Sequence, residues 1–156
     1  MKKNTLFKET KLIWLLIIPF AIILTTLLLF MLIAIGNDKN HLIIFFIVNI
    51  LVFSTILALF YRFKIELFEN KIILSFGIGI ISKKINIEQI DKSSINQKKI
   101  PWYYGIGWRY DFKGNILFSA NFGTAVTFKL MDVNKKIMIV MDKRKEFENE
   151  LIKIIN

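Results

Sequence analysis

His41 is the only histidine in the chain, and there is no cysteine. General acid–base or nucleophilic work needs a titratable group held beside a partner, and no acid or serine stands within inferable reach of His41. A lone histidine at the start of an apolar run reads as a polar residue at a helix end. Without cysteine there is no disulfide framework, thiolate nucleophile or Cys-ligated metal. Gly77-x-Gly79 and Gly105-x-Gly107 lack the third glycine and the following helix that a dinucleotide or phosphate loop requires. The carboxylates are scattered through turns and the C-terminal segment, without an apolar pocket to perturb any of them. The reading is a non-enzymatic protein with no cofactor and no metal.

The chemistry these residue types do offer is recognition at a surface. Pro101 to Asp111 carries Trp102, Tyr103, Tyr104, Trp108 and Arg109, amphipathic rings and a guanidinium suited to lipid headgroups or a protein partner. The alternative reading of the same stretch is structural. Gly105 and Gly107 then make a tight turn, Trp108 is a core ring, and Arg109 pairs with Asp111 or another carboxylate. From Arg62 onward, 17 Lys or Arg stand against 10 Asp or Glu. Lys83-Lys84, Lys98-Lys99 and Lys135-Lys136 are candidate contacts to anionic headgroups, each basic residue near such a surface being worth about 1 kcal/mol. The alternative is a solvated basic face. Nucleic-acid binding is not supported, because there is no helix-turn-helix, zinc-ligand or RNP-like pattern.

These residues have to be held by something, and two apolar runs dominate the chain. Of its 156 residues 54% are hydrophobic, yet 22% are charged, and the two characters are segregated. Leu12 to Ile35 and Leu42 to Tyr61 contain no Asp, Glu, Lys or Arg and are broken only by residues 36–41. A bilayer core about 30 Å thick needs roughly 20 such residues in a helix. The pattern predicts a transmembrane helical hairpin, with helix 1 over 12–35, an extracytoplasmic loop over 36–41 and helix 2 over 42–61. The first run is too long and ends too uniformly for a cleaved signal peptide. Lys2, Lys3, Lys8 and Lys11 precede the hairpin and Arg62 and Lys64 follow it. The positive-inside bias therefore puts a basic tail over 1–11 and the whole of 62–156 in the cytoplasm. Trp14 and Tyr61 stand where an aromatic belt would place them. Asn49, near mid-bilayer, is a candidate helix–helix contact to Thr25 or Thr26, worth about 0.6–2 kcal/mol.

After Arg62 the period changes to that of strands. Phe63 to Phe68 alternates, Glu69-Asn70 turns, and Lys71 to Gly77 runs on, with a bend at Gly77-Ile78-Gly79. Lys84 to Ile90 follows, then a polar turn over Asp91 to Lys99. Beyond it come strands over Ile106 to Phe112, Ile116 to Ala120, Ala125 to Leu130 and Lys136 to Met141, with turns at Lys113-Gly114-Asn115 and Asp132 to Lys135. Asp142 is a candidate N-cap for an amphipathic helix over Lys143 to Ile155. The fold class is α+β: a two-helix hairpin followed by about seven antiparallel strands closed by one helix.

Gly105, Gly107 and Arg109, the turn Lys113-Gly114-Asn115, the run Gly123-Thr124-Ala125-Val126 and Lys135-Lys136-Ile137-Met138-Ile139 together resemble bacterial PH-like domains of small membrane-anchored proteins. The resemblance covers most of Phe63 to Ile155 and implies a PH-like β-barrel or sandwich of seven strands with a C-terminal helix. The chain departs from that pattern at Asp132-Val133-Asn134 and at Val140-Met141-Asp142-Lys143, where relatives often have Asp-Gly and Gly-Thr with a proline. The Lys-, Asn- and Ile-rich composition matches an AT-rich bacterial source. The expected role is a multi-pass cell-membrane protein presenting a PH-like interaction or scaffolding domain at the cytoplasmic surface. Its partners are the bilayer, a protein or a second copy, and anionic headgroups. The alternative is an accessory subunit of a membrane enzyme or transporter.

Overall fold

Two apolar runs separated by a few polar residues fold as a pair of antiparallel helices, and the rest of the chain is built on the segments that enter and leave them. The computed structural model describes residues 5–36, 40–111, 114–131 and 135–155. Lys2 and Lys3 of the expected tail, the loop residues 37–39, Phe112 and Lys113, and the turn 132–134 lie outside the described residues. Helix α1 spans Trp14–Gly36 and α2 spans Asn40–Phe60, within two residues of the expected limits at every end. At 1.5 Å per residue each is about 30 Å long or slightly more. Both are long and apolar enough to cross a membrane, with mean hydropathies of 2.9 and 2.8, and the most apolar stretch of each has no buried residue. The two helices pack through aromatic pairs: Phe20 edge-on to Phe53 at 5.6 Å, and Phe30 stacked on Phe46 at 6.3 Å.

The segment before α1 is a strand. Residues 5–11, expected as part of a basic tail, belong to β1 (Thr5–Leu12), which pairs antiparallel with β2 (Arg62–Phe68), Leu12 opposite Arg62 and Thr10 opposite Lys64. Its charges concealed it: β1 is an edge strand that buries only Phe7 and leaves most of its length in solvent. Strands β3 (Lys71–Phe76) and β4 (Ile81–Asn86) complete a first sheet in the order β1-β2-β3-β4. In β2 the alternation read from the sequence is the alternation observed, with Phe63, Ile65 and Leu67 buried and their neighbours half-buried.

A single 3-10 turn, Ile87–Gln89, carries the chain from β4 into a second sheet. Its first strand, β5 (Ile90–Lys99), occupies the stretch expected as a polar turn. A strand with so few apolar residues forms because it lies at the sheet edge, is mostly exposed, and pairs through its backbone with β8 (Thr124–Leu130). Polar side chains hold its irregular middle. Asp91 Oδ1 accepts from the Ser93 amide and hydroxyl, Ser94 Oγ accepts from the Lys129 amide, and Thr127 Oγ1 donates to Asn96 Oδ1. With β6 (Gly107–Tyr110), β7 (Ile116–Ser119) and β9 (Lys136–Val140) the second sheet has the order β5-β8-β9-β7-β6.

The described residues therefore form nine strands in sheets of four and five, where the sequence pattern led to about seven. The sheets do not close into a barrel, since the turn at 87–89 switches the chain between them without continuing the ladder. Nor is the pairing wholly antiparallel: β7 and β9 run parallel, Leu117 opposite Met138. One apolar core fills the space between the sheets. At its centre Phe63 stacks on Phe76 at 4.8 Å, and Phe118 of the second sheet lies 6.5 Å from each.

Helix α3 (Arg144–Ile155) closes the domain, burying Phe147 and Leu151. Asp142 was the expected N-cap, but the carboxylate comes from elsewhere in the chain. Glu9 of β1 accepts the Asp142 amide at 2.9 Å and the Lys143 amide at 3.0 Å, while the Asp142 carboxylate pairs with Lys11 at 2.5 Å. Unpaired amides at a helix start favour a carboxylate of any origin. Phe7 packs edge-on against Phe147 at 5.3 Å, so the first strand and the last helix lock together.

Candidate functional site

The two helices join the sheet with no linker on either side. One residue, Ile13, separates β1 from α1, and one, Tyr61, separates α2 from β2. The two are tied by the Ile13 amide donating to the Tyr61 carbonyl at 2.9 Å. Because Ile13 is buried in the core and its carbonyl also accepts from Leu16 and Ile17, the helical hairpin continues directly into the β1–β2 hairpin. The domain is thus held in one orientation to the helix axes, and its two ends differ in kind.

At the helix-proximal end, Lys11, Leu12, Trp14 and Leu15 form one wall of a groove of about 580 Å³, and Ile106, Ala120, Asn121 and Phe122 form the other. This places the Ala120–Gly123 loop beside the base of α1. The Ile100 amide donates to the Gly123 carbonyl, Lys99 pairs with Thr124, and Gly107 pairs with Ser119. The whole Lys98 to Gly107 segment therefore lies at the same end. There Trp102 is 76% and Tyr103 70% exposed, and Lys98 and Lys99 are exposed as well.

The aromatic stretch singled out in the sequence divides by residue. Trp102 and Tyr103 face outward, while Tyr104 packs onto the outer apolar cluster of Ile100, Leu117, Ala125, Met138 and Val140. Trp108 is a half-buried ring 5.4 Å from Phe118. Arg109 Nε donates to the Ile106 carbonyl at 3.1 Å, and Asp111 accepts the backbone and side-chain N–H groups of Asn115. The glycines shape this turn, Gly105 and Gly107 both having positive φ.

The lysine pairs are not brought together. Lys98 and Lys99 are helix-proximal, but Lys135 and Lys136 sit at the β8–β9 connection, with the Lys135 carbonyl accepting from Leu130 at the opposite end of β8. Seven strand residues separate those ends by about 20 Å. Lys83 and Lys84 lie along the edge strand β4, opposite Leu74 and Ile73.

The expected bond between Asn49 and Thr25 or Thr26 is not formed. Asn49 Nδ2 donates to the Phe45 carbonyl at 2.9 Å, and the two threonine hydroxyls donate to Ala21 and Ile22. Each polar group is satisfied one turn back on its own helix, the local alternative that competes with interhelical bonding. His41 is exposed at the start of α2, and among the described residues no group of three His, Asp or Glu side chains is placed to hold a metal.

Sequence reasoning passed over Ile78, Ile80 and Phe122, all exposed at the helix-proximal end. For Ile78 and Ile80 the signal was a turn region, Gly77 to Ile81, with no polar side chain; nothing in the sequence around Phe122 marked it. No family model, curated protein or solved structure matches the chain.

Proposed function

We propose that the protein is a non-enzymatic integral membrane module, in which α1 and α2 cross the bilayer and hold a PH-like interaction domain against the headgroups on the cytoplasmic side. The observation that carries this reading is the linker-free joint at Ile13 and Tyr61. A domain so joined cannot swing away from the helices, so whatever surface faces their ends faces the membrane. Bare apolar helices of about 30 Å need a non-aqueous surround, since hydrocarbon is the medium in which their exposed side chains cost nothing. Lys11, Arg62 and Lys64 flank the helices on the domain side, which by the positive-inside bias is the cytoplasmic side. Two packed sheets closed by a terminal helix support the PH-like assignment, with β1, β5 and the parallel β7–β9 pair as elaborations. Trp102, Tyr103, Lys98 and Lys99 supply a rim of amphipathic rings and cations for anionic headgroups. A protein partner would have the remaining surface.

The absence of native cysteine makes the test clean. His41→Cys in intact cells is expected to react with an impermeant maleimide, and Ser93→Cys only after permeabilisation. Labelling of Ser93→Cys in intact cells with His41→Cys protected would invert the topology and end the proposal.

A further inference from the structure

The first sheet touches the helical hairpin at a third point besides the two chain crossings. Strands β3 and β4 are joined by a turn over Gly77 to Ile80 that climbs along the last turn of α2. The Ile78 amide donates to the Ala58 carbonyl at 3.1 Å. Gly77 has φ +52°, and a Cβ there would fall well inside van der Waals contact of the Ala58 carbonyl oxygen and the Leu59 backbone. Only glycine permits so close an approach in that conformation. Ala58 precedes the end of α2 by two residues, or about 3 Å along the axis. The turn therefore reaches inside the end of the apolar helix.

What the turn displays there is apolar. From Phe76 to Ile81 no side chain is polar, whereas water-facing turns favour Asn, Asp and Ser beside Gly and Pro. Ile78 is 59% and Ile80 72% exposed. Arg62 marks the boundary beside them, its Nε donating to the Gly77 carbonyl at 2.9 Å and its guanidinium lying 5.2 Å from the Tyr61 ring centre. A cation and a tyrosine ring at one level, with isoleucines beyond, is the arrangement of an interfacial anchor.

We propose that the Gly77–Ile80 turn is a third membrane anchor, with Ile78 and Ile80 seated among the lipid chains beside the last turn of α2. This rests on α1 and α2 being membrane-spanning. The occupant is lipid because the turn packs on the half-buried last turn of α2, Leu57 to Phe60, and its two exposed isoleucines adjoin a helix whose large apolar side chains are exposed up to Ile56. With the hairpin it would give the first sheet three points of attachment, enough to fix tilt as well as position.

The test uses the full-length protein in lipid nanodiscs with a nitroxide on a single cysteine at Ile78, Ile80, Val52 or Ser93. Collision rates are measured with oxygen, which partitions into lipid, and with a water-soluble nickel chelate. Val52, exposed in mid-α2, is the lipid reference, and Ser93, exposed on β5, is the aqueous one. The expected result is that labels at 78 and 80 favour oxygen as Val52 does. If they follow Ser93 while Val52 favours oxygen, the anchor is overturned and the spanning helices stand. If Val52 also follows Ser93, the membrane reading itself has failed. Labels at 78 and 80 shielded from both reagents would mean a second copy or another protein covers the turn, which also overturns the lipid anchor.

Discussion

The two ends of the β domain are built from the same strands but carry different surfaces. At the end next to the helices the exposed large apolar side chains are Leu12, Ile78, Ile80, Trp102, Tyr103 and Phe122. At the far end stand the turn Glu69-Asn70, the 3-10 turn with Glu88, and Lys135, with Leu6, Tyr110 and Met131 as isolated apolar exposures. The near end also carries the backbone bonds at the junction with the helices, Ile13 to Tyr61 and Ile78 to Ala58. A soluble domain has no reason to gather exposed isoleucine and tryptophan at one pole. The asymmetry makes sense if that pole meets something other than water.

The difference between the ends can be broken by substitution, beginning with the two turn glycines. Gly77→Ala must push a methyl into the backbone of α2 from a left-handed conformation, and is expected to cost about 2–5 kcal/mol. Gly114→Ala, at φ +75° with only the Lys135 side chain 3.8 Å away, carries the backbone strain alone, about 1–2 kcal/mol. Thermal unfolding of both variants in the same detergent measures the contrast, and equal losses would show that the turn against α2 is not a tight joint. Glu9→Ala removes the acceptor of two helix-start amides and is expected to cost about 2 kcal/mol. Glu9→Gln should keep part of that by retaining an acceptor oxygen.

Charge at the two ends gives a smaller contrast. Replacing Lys98 and Lys99 by Ala should lower the enrichment of anionic lipid around the protein in mixed nanodiscs by about 1 kcal/mol per residue, an effect that fades with salt. The same change at Lys135 and Lys136 should leave enrichment unaltered, and an equal effect from both pairs would remove the distinction between the poles. The smallest expected effect is within the helices. Asn49→Leu should shift stability by less than about 0.6 kcal/mol, because the bond lost is to Phe45 on the same helix and no interhelical bond is broken.

Those contrasts also show which features were legible without a fold. The helices were legible because each is a continuous run of one character, and strands such as β2 because alternation over seven residues reports a half-buried ladder directly. The edge strands β1 and β5 were not. Each buries few side chains, so its pattern resembles a solvated tail or turn, and its place depends on partners 50 to 63 residues later for β1 and 25 to 40 later for β5. The candidate rim was half legible. Trp102 and Tyr103 could be named as amphipathic rings, but nothing local to Trp108 or Tyr104 says that one packs on Phe118 and the other on an outer cluster.

A fragment starting at Arg62 would leave out β1, and with it Phe7, which is 3% exposed and packs on Phe147, and the Glu9 carboxylate at the start of α3. The β domain includes chain from both sides of the helical hairpin.

By itself the sequence determined the two apolar helices, the α+β class, the strand-rich C-terminal part with its closing helix, and the absence of cysteine chemistry. All of these follow from local composition and period, which act over a few to about twenty residues. Only the tertiary structure decided that Thr5 to Leu12 completes the first sheet and that the strands of the described residues divide into two sheets without closing. It also decided that Glu9 serves α3 and that Gly77 brings two isoleucines to the end of α2. Each of these depends on backbone groups far apart in the chain satisfying one another, and no local pattern records which distant partner an amide or carbonyl will find.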